Sequence, residues 1–391
     1  MESGVHAVYH HDVLYGSWEV PSIIEDLIHT KESARMRRIS QSTIPHAISP
    51  KGPMANRFEH GMGVAFLAEK AIGQNEKIDE KNANLLRASA LLHDAGNPPF
   101  SHLSEYFLRE MLNLDGESFL SEILKNSETE QVLKQYGLDP IDVVAMVTGM
   151  YKPFSEILCG SLDIDNLDNV ARAMYYFGLK HARGTFRDLA FSYHWNGDEW
   201  SLPTNMFNPA REWKEARRSV YEYIYSDVHL ASGMMLYRAV ELAFMNGEIT
   251  KDFFRMHDDE AFMYLQRECS QSTQSLIERL TRWQWYSEVV RIETSRPTST
   301  LRDIAGSWRS RGKLASMISD EFEIPAEDMC VYIGVGKDSR KIHLPFVSER
   351  ARLFDVDDKT DISKTRLMVY VAKKYEPLQE VIKKYVVNHI G

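Results

Sequence analysis

Two histidines and a handful of carboxylates are the side chains best placed to do chemistry in this 391-residue chain. His93 is followed directly by Asp94 within Ala88–His102, which reads ASALLHDAGNPPFSH. An imidazole beside a carboxylate, where an apolar run gives out, is a costly arrangement to bury unless something binds both. A divalent metal would bind both. The plainer reading is a capping Asp next to a satisfied core His. A second histidine, His60, closes the run Arg57-Phe58-Glu59-His60. Asp163, Asp165 and Asp168 cluster in Ser161–Phe177, SLDIDNLDNVARAMYYF. Acids in a first helical turn are favoured by the helix dipole alone, so this cluster also has a structural explanation. A catalytic metal needs several ligands from separate elements and one open position. Imidazole nitrogen with carboxylate oxygen suits Mn, Fe, Zn, Ni or Co better than Mg alone, with Mg as a further candidate.

The elements around these residues read as helices. Leu85, Leu86, Ala88, Leu91 and Leu92 have the spacing of a buried helix face that must stop before Pro98 and Pro99. Val64, Leu67, Ala68, Ala71 and Ile72 repeat at helical spacing after His60. Each candidate ligand therefore stands at the edge of a buried helix. Asp26–Ile39 reads as one helix with Arg35, Arg37 and Arg38 near its end, either a solvated face or a rim that meets anionic substrate. Ile44–Asn56, with three prolines, reads as a loop. Further helices are expected over Asp115–Lys125, Ile141–Met150, Val220–Phe244, Asp258–Glu268 and Thr273–Val289. His181–Pro209 reads as irregular. From about Ile292 the character changes: a helix over Leu301–Glu321, strands at Met329–Ile333 and Leu367–Val371, and a helix at Leu378–Val386. The chain is thus expected to be mainly α, a helical domain over 1–290 with a small α+β module over 291–391. Gly334-Val335-Gly336-Lys337 lacks the other residues of a phosphate loop and reads as a turn.

A hydrophobic fraction of 43% and a charged fraction of 26% are those of an ordinary globular protein. No apolar run is long enough to span a bilayer, and the first residues have no signal-peptide pattern. Cys159, Cys269 and Cys330 show no metal spacing and read as reduced thiols in a cytoplasmic protein. A net charge of −10 argues against a life spent gripping nucleic-acid backbone.

RFEH, then HDAGNPPFSH, then LDIDNLDNVARA, in that order, resemble the HD-domain metal-dependent phosphohydrolases. The branch most similar is the large one that includes the deoxynucleoside triphosphate triphosphohydrolases. HDVLYGSWEV resembles that branch's start, and SVYEYIYSDVHLASGMMLYRAVELAFMNGEI its long late helix. The resemblance implies an all-helical HD core and metal ligands His60, His93, Asp94 and Asp165. It implies that Arg57, Gln41, His102 and Tyr225 meet substrate. It also implies a homo-oligomer acting on a small nucleotide.

The departures are as informative. The family pattern H-D-x-G-H-x-P-F-S-H has Asn97 at its second His. The following helix usually carries His-Glu, and here reads Gly116-Glu117. The third motif has Asn166 for Lys or Arg and Asn169 for Tyr. These changes remove cationic or proton-carrying groups, each of which contributes roughly 1.5–3 kcal/mol to gripping phosphate. The expected function is a metal-dependent phosphohydrolase for a nucleotide or related phosphate ester. Arg57 and His102 would steady developing charge, and Glu117 or His102 would carry protons. The competing expectation is a nucleotide-binding regulatory or oligomeric module that keeps the metal and turns over little.

Overall fold

A computed structural model describes residues 8–42, 45, 48–49, 54–179, 183–336, 340–348, 352–353 and 364–390, without the side chains of 183–185, 227–229 and 353. A hairpin of β1 (Tyr9–Asp12) and β2 (Gly16–Glu19) opens the chain. The single helix expected over Asp26–Ile39 is two, α1 (Ser22–Ile28) and α2 (Lys31–Met36). Thr30 breaks it by taking an extended backbone and accepting the Ser33 amide as the cap of α2. Most of Ile44–Asn56 lies outside the described residues.

The centre is a pair of buried helices, α3 (Arg57–Gly73) and α4 (Glu80–Leu92). Asn56 and Glu59 form a reciprocal cap that fixes where α3 begins. The two helices approach so closely that a Cβ on Gly61 would lie 2.5 Å from the Leu91 carbonyl oxygen. Leu85, Leu86, Ala88, Leu91 and Leu92 are all fully buried, as their spacing requires. Around this pair lie α5 (Glu105–Leu112), α6 (Gly116–Leu124), α7 (Glu128–Gln135), α8 (Pro140–Val147), α9 (Glu156–Cys159) and α10 (Ile164–Tyr176). The stretch read as irregular holds α11 (Arg183–Phe191) and a hairpin of β3 (His194–Trp195) and β4 (Trp200–Pro203). Tyr193, Trp195 and Trp200 are buried, so this segment belongs to the core.

The long helix expected over Val220–Phe244 starts earlier and breaks: α12 (Phe207–Ile224) and α13 (Asp227–Met245) meet at Tyr225-Ser226. Ser226 is extended there, and the Tyr225 carbonyl accepts from Arg291. After α14 (Asp258–Arg267), α15 (Gln271–Thr281) ends sooner than expected. Trp283 is left-handed, and Val289 and Val290 belong to a strand, β5 (Ser287–Thr294). The helix expected over Leu301–Glu321 divides into α16 (Ser299–Gly306) and α17 (Trp308–Glu321), because Ser307 is extended and caps the second. β6 (Met329–Val335) runs through Gly334 and Val335, which were expected to turn; Lys337 lies outside the described residues.

β7 (Phe346–Val347), β8 (Arg352–Leu353), β9 (Thr365–Val371) and α18 (Gln379–Ile390) complete the chain. β9 pairs antiparallel with β5 on one side and β6 on the other, and α17 and α18 cover this small sheet. Residues 340–347 leave that sheet and return to the helical part. β7 runs parallel to β4, and Ile342, Leu344 and Phe346 enter the core around α3.

Candidate metal centre and adjoining cavity

His60 stands in the first turn of α3, His93 caps the end of α4, and Asp165 lies in the first turn of α10. Three helix ends thus converge. The Nε2 atoms of His60 and His93 are 3.2 Å apart. Asp165 Oδ1 is 2.9 Å from His60 Nε2 and 3.6 Å from His93 Nε2. Asp94 Oδ2 is 3.3 Å from His93 Nε2 and 3.7 Å from His60 Nε2.

The far nitrogens decide the rest. His60 Nδ1 lies 2.6 Å from Asp168 Oδ2, and His93 Nδ1 lies 2.9 Å from the Ala90 carbonyl oxygen. Both partners only accept, so each Nδ1 carries the proton and each neutral ring turns a lone pair toward the other. Two lone pairs at 3.2 Å beside two carboxylates call for a bound cation or, without one, for protons on Nε2 that Asp165 and Asp94 accept. His60, His93 and Asp165 each offer one ligand atom, all within 4.8 Å of one another. The donor set fits a divalent transition metal, with nitrogen and carboxylate ligands and an open side at the partly exposed Asp165.

Asp94 is more heavily engaged than the other three. Its Oδ2 accepts from Arg57 at 2.7 Å and its Oδ1 from Asn97 at 2.5 Å. Burial opposes its charge, yet Arg57 and His93 hold its carboxyl well below the usual range. Burial likewise opposes charge on the rings. Hydrogen bonds to Asp165 and Asp168 overcome this at His60, and Asp94 and Asp165 raise His93 well above an ordinary histidine.

Arg57 links this centre to a cavity of about 470 Å³. Gln41, Arg57, His102 and Tyr225 all line it, as do Asn169, Arg217, Arg311 and Tyr332. Gln41 donates to Asn169 at 3.1 Å. His102 is half exposed, with Nδ1 3.0 Å from Glu105. The backbone leading into His102 is unusual: Phe100 and Ser101 are both left-handed, with φ of 62° and 52°. The Phe100 amide and the Ser101 hydroxyl are anchored to Asp258 and the Ser40 carbonyl, and Ser101 Oγ accepts from Arg57 at 3.1 Å. Non-glycine residues hold such angles only where their surroundings insist. Glu117, in the first turn of α6, is not among the cavity residues. Partial desolvation, then Asp115 and Asp165, push its carboxyl up to about 7.

Sequence reasoning missed the support beneath the ligands. Arg172 grips both oxygens of Asp168 at 2.9 Å and reaches Asp12 at 2.8 Å. Its position one turn after Asp168 was the available signal. Arg35 forms neither a solvated face nor a substrate rim: it donates to the carbonyls of Ala95, Asn97, Phe254, Arg255 and Met256. Arg37 lies over the Phe58 ring and Arg38 pairs with Asp259. Asn97 and Gly116, which stand where the family pattern has histidines, face each other. A Cβ on Gly116 would lie 2.5 Å from Asn97 Oδ1.

Residues 57–173 match the HD domain, and residues 216–384 match the HD associated region. The chain carries an HD domain. A deoxynucleoside triphosphate triphosphohydrolase SAMHD1 homolog from Dictyostelium discoideum is 27% identical over 201 residues, 46% of this chain and 38% of that protein. An uncharacterized protein, YwfO, from Bacillus subtilis is 32% identical over 167 residues, 41% of this chain and 37% of that protein. The chain thus spans about two-fifths of the length of these curated relatives. A crystal structure of a hypothetical protein from Aquifex aeolicus superposes with a TM-score of 0.75 at 18% identity, covering 96% of this chain and 99% of that one. A phosphohydrolase from Bacteroides thetaiotaomicron gives 0.69 at 17%, covering 94% and 100%. Both share the fold. Among the described residues, no helix is long and apolar enough to cross a membrane.

Proposed function

We propose that this HD-domain protein is a metal-dependent phosphohydrolase acting on a nucleotide or a related phosphate ester. The observation that carries the reading is the pair of Nε2 lone pairs 3.2 Å apart beside Asp165, next to a cavity reached through Arg57. The phosphohydrolase and triphosphohydrolase names among the similar proteins support it. A divalent cation held by His60, His93 and Asp165, with Asp94 alongside, would supply the Lewis acid that activates water and polarises a phosphoryl oxygen.

The chain's own groups supply the remainder. Arg57 keeps one buried guanidinium nitrogen without a hydrogen-bond partner among the described residues, while its other nitrogens hold Asp94 and Ser101. That free donor would take a phosphoryl oxygen at the boundary between centre and cavity. His102 would add a second donor from the rim. Glu117, at about 7, is suited to exchange a proton near neutrality. Gln41 and Tyr225 would hold the body of the ligand. Arg172 and Arg57 are already paired with carboxylates, and no lysine lines the cavity among the described residues. The missing lysines favour a short phosphate group, while Arg217 and Arg311 in the same wall would still meet a longer one. Arg311 and Tyr332 line the cavity, which supports reading 291–391 as a module that would complete the substrate site.

The test is phosphate release from a panel of nucleotides and esters with Mn, Fe, Co, Ni and Mg. Turnover with at least one metal, lost together with bound metal in His93→Ala, is expected. No release with any metal would overturn the reading. Gly116 leaves the helix after the second motif without an imidazole, and this favours one alternative: a nucleotide-binding module that retains the metal. Thermal stabilisation by nucleotide without turnover would select it.

A further inference from the structure

α10 carries Asp165 in its first turn, Asp168 in the next and, as its cap, the fully buried Asp163. Asp163 Oδ1 accepts the Asn166 amide at 2.7 Å and the Asn166 side chain at 2.8 Å. Its other oxygen turns to the returning tail. It accepts from Arg340 at 2.9 Å, 177 residues further along, and the same guanidinium nitrogen donates to the Gly160 carbonyl. Three residues on, the His343 amide donates to Ser161 Oγ at 2.8 Å. Ile342, Leu344 and Phe346 are buried in the core around α3, and Phe346 pairs with Leu202. A returning segment of the tail thus grips the turn 160–163 from which the ligand helix departs.

Resting on the metal-centre reading above, we infer that Arg340 is a positioning residue for Asp165, holding the first turn of α10 by clasping Asp163 and Gly160. The reason is electrostatic as well as geometric. Asp163 and Asp165 are two carboxylates two residues apart, and Asp163 is 1% exposed. An unpaired buried carboxylate either draws in water or turns away, and here that movement unwinds the cap that sets Asp165. Arg340 neutralises Asp163 through its ion pair at 2.9 Å. Asp165 is then left free to face His60 and His93. A lysine supplies the charge but not two hydrogen bonds fixed in one plane.

Two readouts test this on the full chain. Hydrogen exchange of residues 163–168 in metal-free protein reports the turn itself. Mn²⁺ titration by calorimetry reports the ligand. Arg340→Ala should speed exchange across this turn and weaken Mn²⁺ binding about tenfold or more, in the range seen when an outer partner of a ligand is lost. Arg340→Lys should recover part of both. Combining Arg340→Ala with Asp163→Asn removes the unpaired charge, so the double variant should bind Mn²⁺ more tightly than Arg340→Ala alone. If Arg340→Ala does not fold, Arg340→Lys and Asp163→Asn carry the same comparison. Wild-type exchange and wild-type Mn²⁺ affinity in Arg340→Ala would overturn the inference, as would strictly additive effects in the double variant. Should the wild-type chain bind no Mn²⁺ at all, the metal reading falls, and the exchange experiment still decides the clasp.

Discussion

At the scale of single residues, the chemistry of His60 and His93 is set by what holds their far nitrogens. Asp168 fixes one ring and the Ala90 carbonyl the other. Asp168→Asn keeps the shape but weakens the acceptor, and should lower Mn²⁺ affinity about 10- to 100-fold by calorimetry. Unchanged affinity would show that the ring needs no carboxylate behind it. The same arrangement predicts a pH dependence. In metal-free protein both rings are raised, so folding takes up protons near neutrality. That contribution is complete below about 6.5, the unfolded value, and is lost as pH rises through the folded values. Glu117, pushed up to about 7 with burial the leading cause, acts in the same direction. Melting temperature without metal should therefore fall from pH 6 to pH 9, and saturating Mn²⁺ should reduce the slope by binding neutral rings. A metal-free melting temperature that climbs over this range would contradict the site geometry. His60, His93, Asp94 and Asp165 could be picked out because ligand chemistry restricts residue type. Arg340 could not be given a role, since its partner Asp163 lies 177 residues away and leaves no local pattern; Asp168 lies 108 residues from His60, and only its spacing to Arg172 was a local signal.

At the scale of elements, close approach decides more than propensity. A Cβ on Gly63 would lie 2.1 Å from Asp168 Oδ1 and 2.3 Å from Arg172. Gly63→Ala should therefore destabilise the protein by about 1–3 kcal/mol in chemical denaturation, despite better helix propensity. A stabilised variant would mean the Asp168–Arg172 pair can move aside freely. Thr30→Ala, which removes the cap of α2, should cost about 1 kcal/mol. Apolar spacing showed the buried faces of α3, α4 and α10. It did not show the breaks at Thr30, Tyr225 and Ser307, because the apolar pattern continues across them while one extended residue restarts the helix. The strand at Val289 was lost for a related reason: two adjacent valines fit either period.

At the scale of the whole molecule, chain order and spatial order part company around the centre. The tail supplies a wall of the cavity through Arg311 and Tyr332, and a clasp through Arg340. The head contributes as well. Asp12 closes the opening hairpin, with its Oδ1 on the Leu14 and Tyr15 amides, and its Oδ2 takes Arg172. Arg172 holds Asp168, and Asp168 holds His60. Trimming the protein to begin at residue 13 should thus weaken Mn²⁺ binding without deleting a ligand, measurable against the full chain by calorimetry. Equal affinity would cut the relay. The practical corollary concerns preparation: a tag fused at the front, or a protease nick there, tampers with the innermost imidazole through three successive ionic handshakes, and inactive material made that way would say nothing about the catalyst.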